Sequence, residues 1–386
     1  MASWLRNIPL LIPLCCIGIT ISGLCGLHRA DQLYGKSQLF ERQLVWTMLA
    51  WPAMFLVTTV SWRRLKHAGP ALFVVCLGLL VLVLFMPPVN GSRRWIPLGL
   101  MDFQPSEPAR LALIMTLASW LMYRENQTTI RGLVPPFIIT LLPLLLILRE
   151  PDLGTAMLFL PILYAMLFAA GARPTHLLAA ALIGVIMLPL LWQQMTSEQK
   201  SRIVILFNQS DGGTAPAGDG FHLHQSKQVL ALGGIHGSFQ NDEPVTDDDA
   251  AWQLPAARTD FILVVLGERY GLAGTSFVLL LYVVLVWQGL KTAAKTRDPW
   301  ARLVAVGIVT MIGVQTIINS SMTVGLMPIT GMTLPFCSYG GSSLLSFSVA
   351  VGLLMNITMR PGYDVAPAPF RNPRNSQLQN TDSRSL

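Results

Sequence analysis

The sequence predicts an all-α integral membrane protein of about ten transmembrane helices, with one long extracytoplasmic loop between spans seven and eight. Three observations predict it. Hydrophobic residues make up 52% of the chain and charged residues 12%, whereas soluble domains carry about a quarter charged residues. Apolar runs long enough to cross a bilayer recur along the chain. The connections between them are short and polar, with one exception.

The first run, Pro9 to Leu27, follows Arg6 as a signal peptide would. It lacks a small-x-small cleavage site and further spans come after it, so it reads as a retained first span. The others fall near 43–61, 68–88, 108–123, 132–148, 153–171, 175–193, 272–290, 301–320 and 340–358. The 108–123 run is short and begins beside a motif that precedes it. Residues 1–360 read as one polytopic membrane domain. Residues 361–386 are rich in Pro, Asn, Gln and Ser and read as a disordered cytoplasmic tail.

Net charge is +7. The Lys and Arg sit in short loops between apolar runs, so topology explains them better than nucleic-acid binding does. With a cytoplasmic N-terminus, the inner loops hold Arg63, Arg64 and Lys66, then Arg124 and Arg131, then Arg173, then Lys291, Lys295, Arg297 and Arg302. The outer ones hold Arg29, Lys36, Arg42, Arg93, Arg94 and Arg149. The bias favours both termini in the cytoplasm. Four of the five cysteines lie inside apolar runs without ligand spacing and read as small buried hydrophobes.

The exceptional connection runs from 194 to 259, about 65 residues, a length that usually signals function or disorder. It holds Asp211-Gly-Gly and Gly218-Asp-Gly turns and a helical pattern from His222 to Leu232, ended by Gly233-Gly234. Its acidic run Asp247-Asp-Asp249 reads as solvated charge, because it lacks calcium-loop spacing.

Charge near membrane depth is costly, so it marks candidate sites. Glu107 and Arg110 lie three apart on one helix face, entering an apolar run behind Pro105 and Pro108. They are a structural ion pair or a polar floor for an anionic head group. In Arg149-Glu150-Pro151-Asp152, Pro151 suits a first helical turn and Asp152 a helix N-terminus. The same charges could line an outer cavity. Asp260, after Arg258-Thr259, either caps the next helix or is a general base at the membrane boundary. Gly325 to Ser343 alternates Gly and Pro without charge, a pattern tolerated at membrane depth only where backbone is buried or lines a cavity. Upstream, Gln315 and Asn319 share a helix face suited to interhelical hydrogen bonds.

Six strings in order, GSRRWIPLG, FQPSEPARLA, EPDLGTA, HQSKQVLALGG, ARTDFILVVLGERYGLAG and GLMPITGMTLPFCSYGGSS, span about 90 to 350. Together they resemble the SEDS family (shape, elongation, division and sporulation proteins), and HQSKQVLALGG leans towards its rod-shape branch. The resemblance implies a membrane peptidoglycan glycosyltransferase that polymerises lipid II and releases undecaprenyl pyrophosphate. It implies Asp260 as the catalytic residue. Glu107, Arg110 and Asp152, with Arg93 and Arg94, are expected to bind substrate. The metal is left open; a divalent cation could share the neutralisation of pyrophosphate. The implied partner is a class B penicillin-binding protein, since the chain does not carry the full S-x-x-K, S-D-N and K-T-G set. A lipid flippase and a catalytically silent scaffold are the alternatives. The chain departs from the family at Arg110, where Lys is usual, at Gly237-Ser-Phe, where Gly-Lys-Gly is usual, and at Glu268-Arg269, where paired acids are usual.

Overall fold

A computed structural model describes residues 9–35, 37–88, 92–97, 102–122, 128–209, 219–239, 254 and 256–360. The expected tail, the acidic run at 247–249 and the Asp211-Gly-Gly turn lie outside the described residues. Each of the ten expected spans coincides with a helix: α1 (Leu11–Leu33), α2 (Leu39–Thr59), α3 (Trp62–Val83), α4 (Ser106–Leu121), α5 (Ile130–Arg149), α6 (Leu153–Ala169), α7 (Pro174–Gln194), α10 (Ile262–Lys295), α11 (Pro299–Thr323) and α12 (Gly341–Met359). Seven of these are long and apolar enough to cross a membrane, and α6 is apolar but shorter.

The 194–259 connection holds two helices, α8 (Ser197–Phe207) and α9 (Asp219–Gly233). The second matches the expected pattern; the first was not expected. It starts at a capping box in which Thr196 and Gln199 satisfy each other's backbone N–H. A small antiparallel ladder, β1 (Ile96–Pro97) with β2 (Asp102–Phe103), precedes α4.

Two boundaries differ from expectation for the same reason: buried partners neutralise charge that a hydropathy reading places in loops. Arg29 lies inside α1, not in an outer loop, because it donates to Glu268 from Nε at 2.9 Å and Nη2 at 2.8 Å. Glu268 in turn lies inside α10, which begins at Ile262 rather than near 272. This helix breaks at Gly271, with φ +62°. There a side chain would strike the backbone of Ile235, so the turn after α9 seats directly on the break.

Lys66 pairs with Asp298 at 2.8 Å, and Arg360 donates to the Val60 carbonyl at 2.9 Å. These contacts gather the α2–α3 and α10–α11 connections and the end of α12 at one end of the bundle. The core between the ends is filled by side chains such as Phe159, Phe347 and Trp300. Faces rich in exposed Leu, Ile and Val point outward; α7 buries only Leu177.

Candidate functional site

The opposite end collects the charged motifs. Asp152 caps α6, accepting from the Thr155 N–H at 3.1 Å and the Thr155 hydroxyl at 2.9 Å. The expected first-turn role of Pro151 does not hold, because the cap follows it and the helix begins at Leu153. Asp152 also accepts from Gln104 at 3.3 Å and stands 3.8 Å from Arg94. Arg94 is held in turn by the carbonyls of Glu150, at 3.2 Å, and Pro151. Arg93, its neighbour, points elsewhere and donates to the Leu84 carbonyl at 2.8 Å.

Glu107 and Arg110 form the expected pair, both buried in α4. Arg110 also donates to Gln315 of α11 and lies 5.5 Å over the Phe347 ring. Its planar guanidinium reaches the two oxygens from different nitrogens while lying over the ring, a geometry that differs from the single charged nitrogen of Lys. Gln315 passes the link on to the Thr333 carbonyl at 2.7 Å.

Segment 324–340, between α11 and α12, folds back among the helices without regular structure, as its Gly-Pro pattern predicts. Gly154 lets it approach α6, since a side chain there would meet the Thr330 carbonyl. Gly331, at φ +69°, faces Asp260; a Cβ there would lie 3.6 Å from Oδ2. The missing side chain keeps the space beside that carboxylate open.

Asp260 does not cap α10. The cap residue is Phe261, which makes no side-chain cap hydrogen bond. Instead the Asp260 N–H donates to the Ala256 carbonyl at 3.0 Å, and its own carbonyl accepts from Asn319 at 2.9 Å. The expected bonding by Gln315 and Asn319 thus goes largely to irregular backbone. The Asp260 carboxyl is half-buried. Burial pushes it up to about 6, opposed by the Thr259 hydroxyl and the guanidiniums of Arg202 and Arg94 and supported by the charge of Asp152.

Arg202 and Glu150 belong to this neighbourhood; Arg202 was not expected there, whereas Glu150 was read among the charges that could line an outer cavity. Arg202 arrives on α8, whose only advance signal was the capping box. Glu150 is fully buried at the end of α5, with both carboxylate oxygens lacking a hydrogen-bond partner. Burial, then Asp152, pushes it up to about 8, so it is uncharged near neutral pH. Glu268, by contrast, is consumed by Arg29. Gly237-Ser-Phe is absorbed locally: Gly237 packs on the Arg269 backbone and the Ser238 hydroxyl accepts from Arg29 at 3.0 Å. Phe239 lies beneath the Arg269 guanidinium. Among the described residues no group of three or more His, Cys, Asp or Glu could hold a metal ion.

Several helices long and apolar enough to cross a membrane, with carboxylates and guanidiniums gathered at one end of the bundle, define a multi-pass membrane protein. The chain belongs to the FTSW_RODA_SPOVE family of cell cycle proteins, which matches residues 6–362. It is 37% identical over 341 residues to stage V sporulation protein E of Bacillus subtilis (strain 168), covering 86% of this chain and 91% of that one. It is 32% identical over 365 residues to the probable peptidoglycan glycosyltransferase FtsW of Geobacter sulfurreducens, covering 91% and 95%. Its fold matches, with a TM-score of 0.79 and 28% identity, a chain solved in work described as "Structural coordination of polymerization and crosslinking by a peptidoglycan synthase complex". That match covers 92% of this chain and 99% of the other.

Proposed function

We propose that this protein is a peptidoglycan glycosyltransferase that polymerises lipid II into glycan strands during cell-wall elongation and shape maintenance. The observation that carries the reading is Asp260: a carboxylate that does not cap α10, facing the space left by the missing side chain of Gly331, with its pKa pushed up to about 6. At pH 7 it is mostly ionised and is a stronger base than an ordinary aspartate.

In the proposed step, the acceptor sugar hydroxyl attacks the anomeric carbon of the donor. The new C–O bond forms as the bond from that carbon to the pyrophosphate oxygen breaks. The hydroxyl proton goes to Asp260, and undecaprenyl pyrophosphate leaves with the bonding pair. Arg94 and Arg202 offset the charge that develops on the leaving group. Asp152 fixes Arg94, while Glu107, Arg110 and Gln315 tie α4 and α11 to the folded-back segment around the gap.

The end of the bundle that carries Asp260 faces outward in this reading and both termini are cytoplasmic, in keeping with the Lys and Arg bias of the loops. A class B penicillin-binding protein supplies cross-linking. The linking of polymerisation with cross-linking in the description of the structurally similar chain supports that partner. Purified protein with that partner, given lipid II, tests the function. Polymer supports it; lipid transfer between leaflets without polymer indicates a flippase, and neither indicates a scaffold.

A further inference from the structure

We propose that Arg258 and Asp31 are positioning residues: through them the C-terminal end of α1 grips the turn that carries Asp260 and sets the placement of its carboxylate. The catalytic part of this inference rests on the proposed function. The turn is tight and strained. The N–H groups of Thr259, Asp260 and Phe261 converge on the single carbonyl of Ala256, at 3.1, 3.0 and 3.2 Å. Ala256 itself has φ +58°, a left-handed conformation that an L side chain disfavours. A residue other than glycine keeps such a conformation where its surroundings impose it, and that happens most at functional sites.

Arg258 links the turn to those surroundings. Its Nε donates to Asp31 at 2.9 Å, and its Nη2 donates to the carbonyls of Gly35 at 2.6 Å and Ala30 at 3.3 Å. One planar side chain thus holds the last turn of α1 and the residue that follows it by three bonds. The Arg258 carbonyl accepts from the Tyr339 N–H at 3.0 Å, which ties the same residue to the folded-back segment. Asp31 is braced by the Ser37 hydroxyl at 2.7 Å. The two side chains are 19% and 15% exposed, so solvent screens the pair little. Two positions earlier on α1, Arg29 holds Glu268, which lies beyond Asp260 in α10. One helix end therefore grips the chain on both sides of the candidate base. Arg29 and Asp31 have opposite signs, so exchanging their partners would set like charges together, and the register is fixed.

The test uses the full-length protein with its cross-linking partner in nanodiscs, given lipid II. Asp31→Asn keeps the shape and removes the charge; Arg258→Gln removes the fork. Each should lower kcat about ten- to a hundredfold, as misplacement of a catalytic group does, with KM for lipid II little changed. Arg258→Lys keeps the charge opposite Asp31 and should recover part of the loss. Hydrogen–deuterium exchange without substrate gives a readout independent of activity. Amides of segment 256–261 should exchange about tenfold faster in Asp31→Asn, with exchange elsewhere and melting temperature close to wild type. Wild-type kcat in both variants overturns the proposal. So does a loss confined to KM, which would make the pair a binding surface. Unchanged exchange in 256–261 overturns it too, as does faster exchange throughout, which would show that the pair holds the whole fold and not the turn. If the wild type makes no polymer, the proposed function fails, and the exchange measurement still decides whether α1 holds the turn.

Discussion

Asn319 of α11 donates to two backbone carbonyls from one side-chain nitrogen: to Asp260 at 2.9 Å and to Met332 at 2.7 Å. It thereby fixes the peptide that carries the candidate base against the folded-back segment that walls the gap. Asn319→Leu leaves both carbonyls short of a donor, at a cost of about 1–3 kcal/mol for each that stays buried. The expected result is a lower melting temperature and a polymerisation rate reduced more than tenfold, about what a slight misplacement of a catalytic group produces. Wild-type turnover in Asn319→Leu would exclude this positioning role.

Glu107 and Arg110 should behave as a unit. Removing one partner of a buried pair leaves an uncompensated charge, typically costing about 3–5 kcal/mol. Glu107→Ala should therefore harm stability and activity severely, and adding Arg110→Ala should cost less than the sum of the two single changes. A double-mutant cycle measures the coupling. Strict additivity would show the two side chains to be independent, and with them the link to Gln315.

The helices were legible because lipid imposes a simple rule: about 20 apolar residues per crossing. The rule misplaced helix ends where a charge had a distant partner. Arg29 ends an apolar run in the sequence, yet its helix continues to Leu33, because Glu268 lies 239 positions away and no local pattern announces it. Candidate site residues were readable for the same reason, since uncompensated charge at membrane depth stands out. Arg202 escaped notice, and so did the uncharged state of Glu150. Arg202 sits in a polar loop, where one more cation means nothing. Glu150 was read with its charged neighbours, and only burial reveals that it is neutral. The competing roles of Asp260 could not be separated by sequence, because capping and base catalysis ask for the same residue type.

Glu150 makes stability depend on pH. Its folded pKa, about 8, lies above the ordinary value of 4.5. The folded chain thus holds a proton that the unfolded chain has lost, and stability falls as pH rises from about 4.5 to 8. Glu150→Gln keeps the neutral shape and should raise the melting temperature at pH 8 while changing it little at pH 4. An equal effect at both pH values would contradict the assignment.

Topology is open to direct labelling. In a cysteine-free background, a cysteine replacing Phe207 of α8 should react with an impermeant maleimide from outside intact spheroplasts. One replacing Lys291, near the end of α10, should react only after the membrane is opened. The reverse pattern would place the Asp260 end of the bundle on the cytoplasmic side.

The central claim is that Asp260 is the base, and Asp260→Asn tests it most directly. Asn matches its size and can still accept at a helix N-terminus, but it cannot take up a proton. Because the folded protein favours the uncharged carboxyl, the substitution should leave the melting temperature at pH 7 unchanged or higher. Polymerisation by the wild type should fall as pH drops through about 6, when the base becomes protonated. The deciding measurement is polymer formed from lipid II at matched protein levels, with melting temperature recorded beside it. The account predicts a loss of about a hundred- to ten-thousandfold in a stably folded Asn variant. Near-normal polymer from that variant would contradict it.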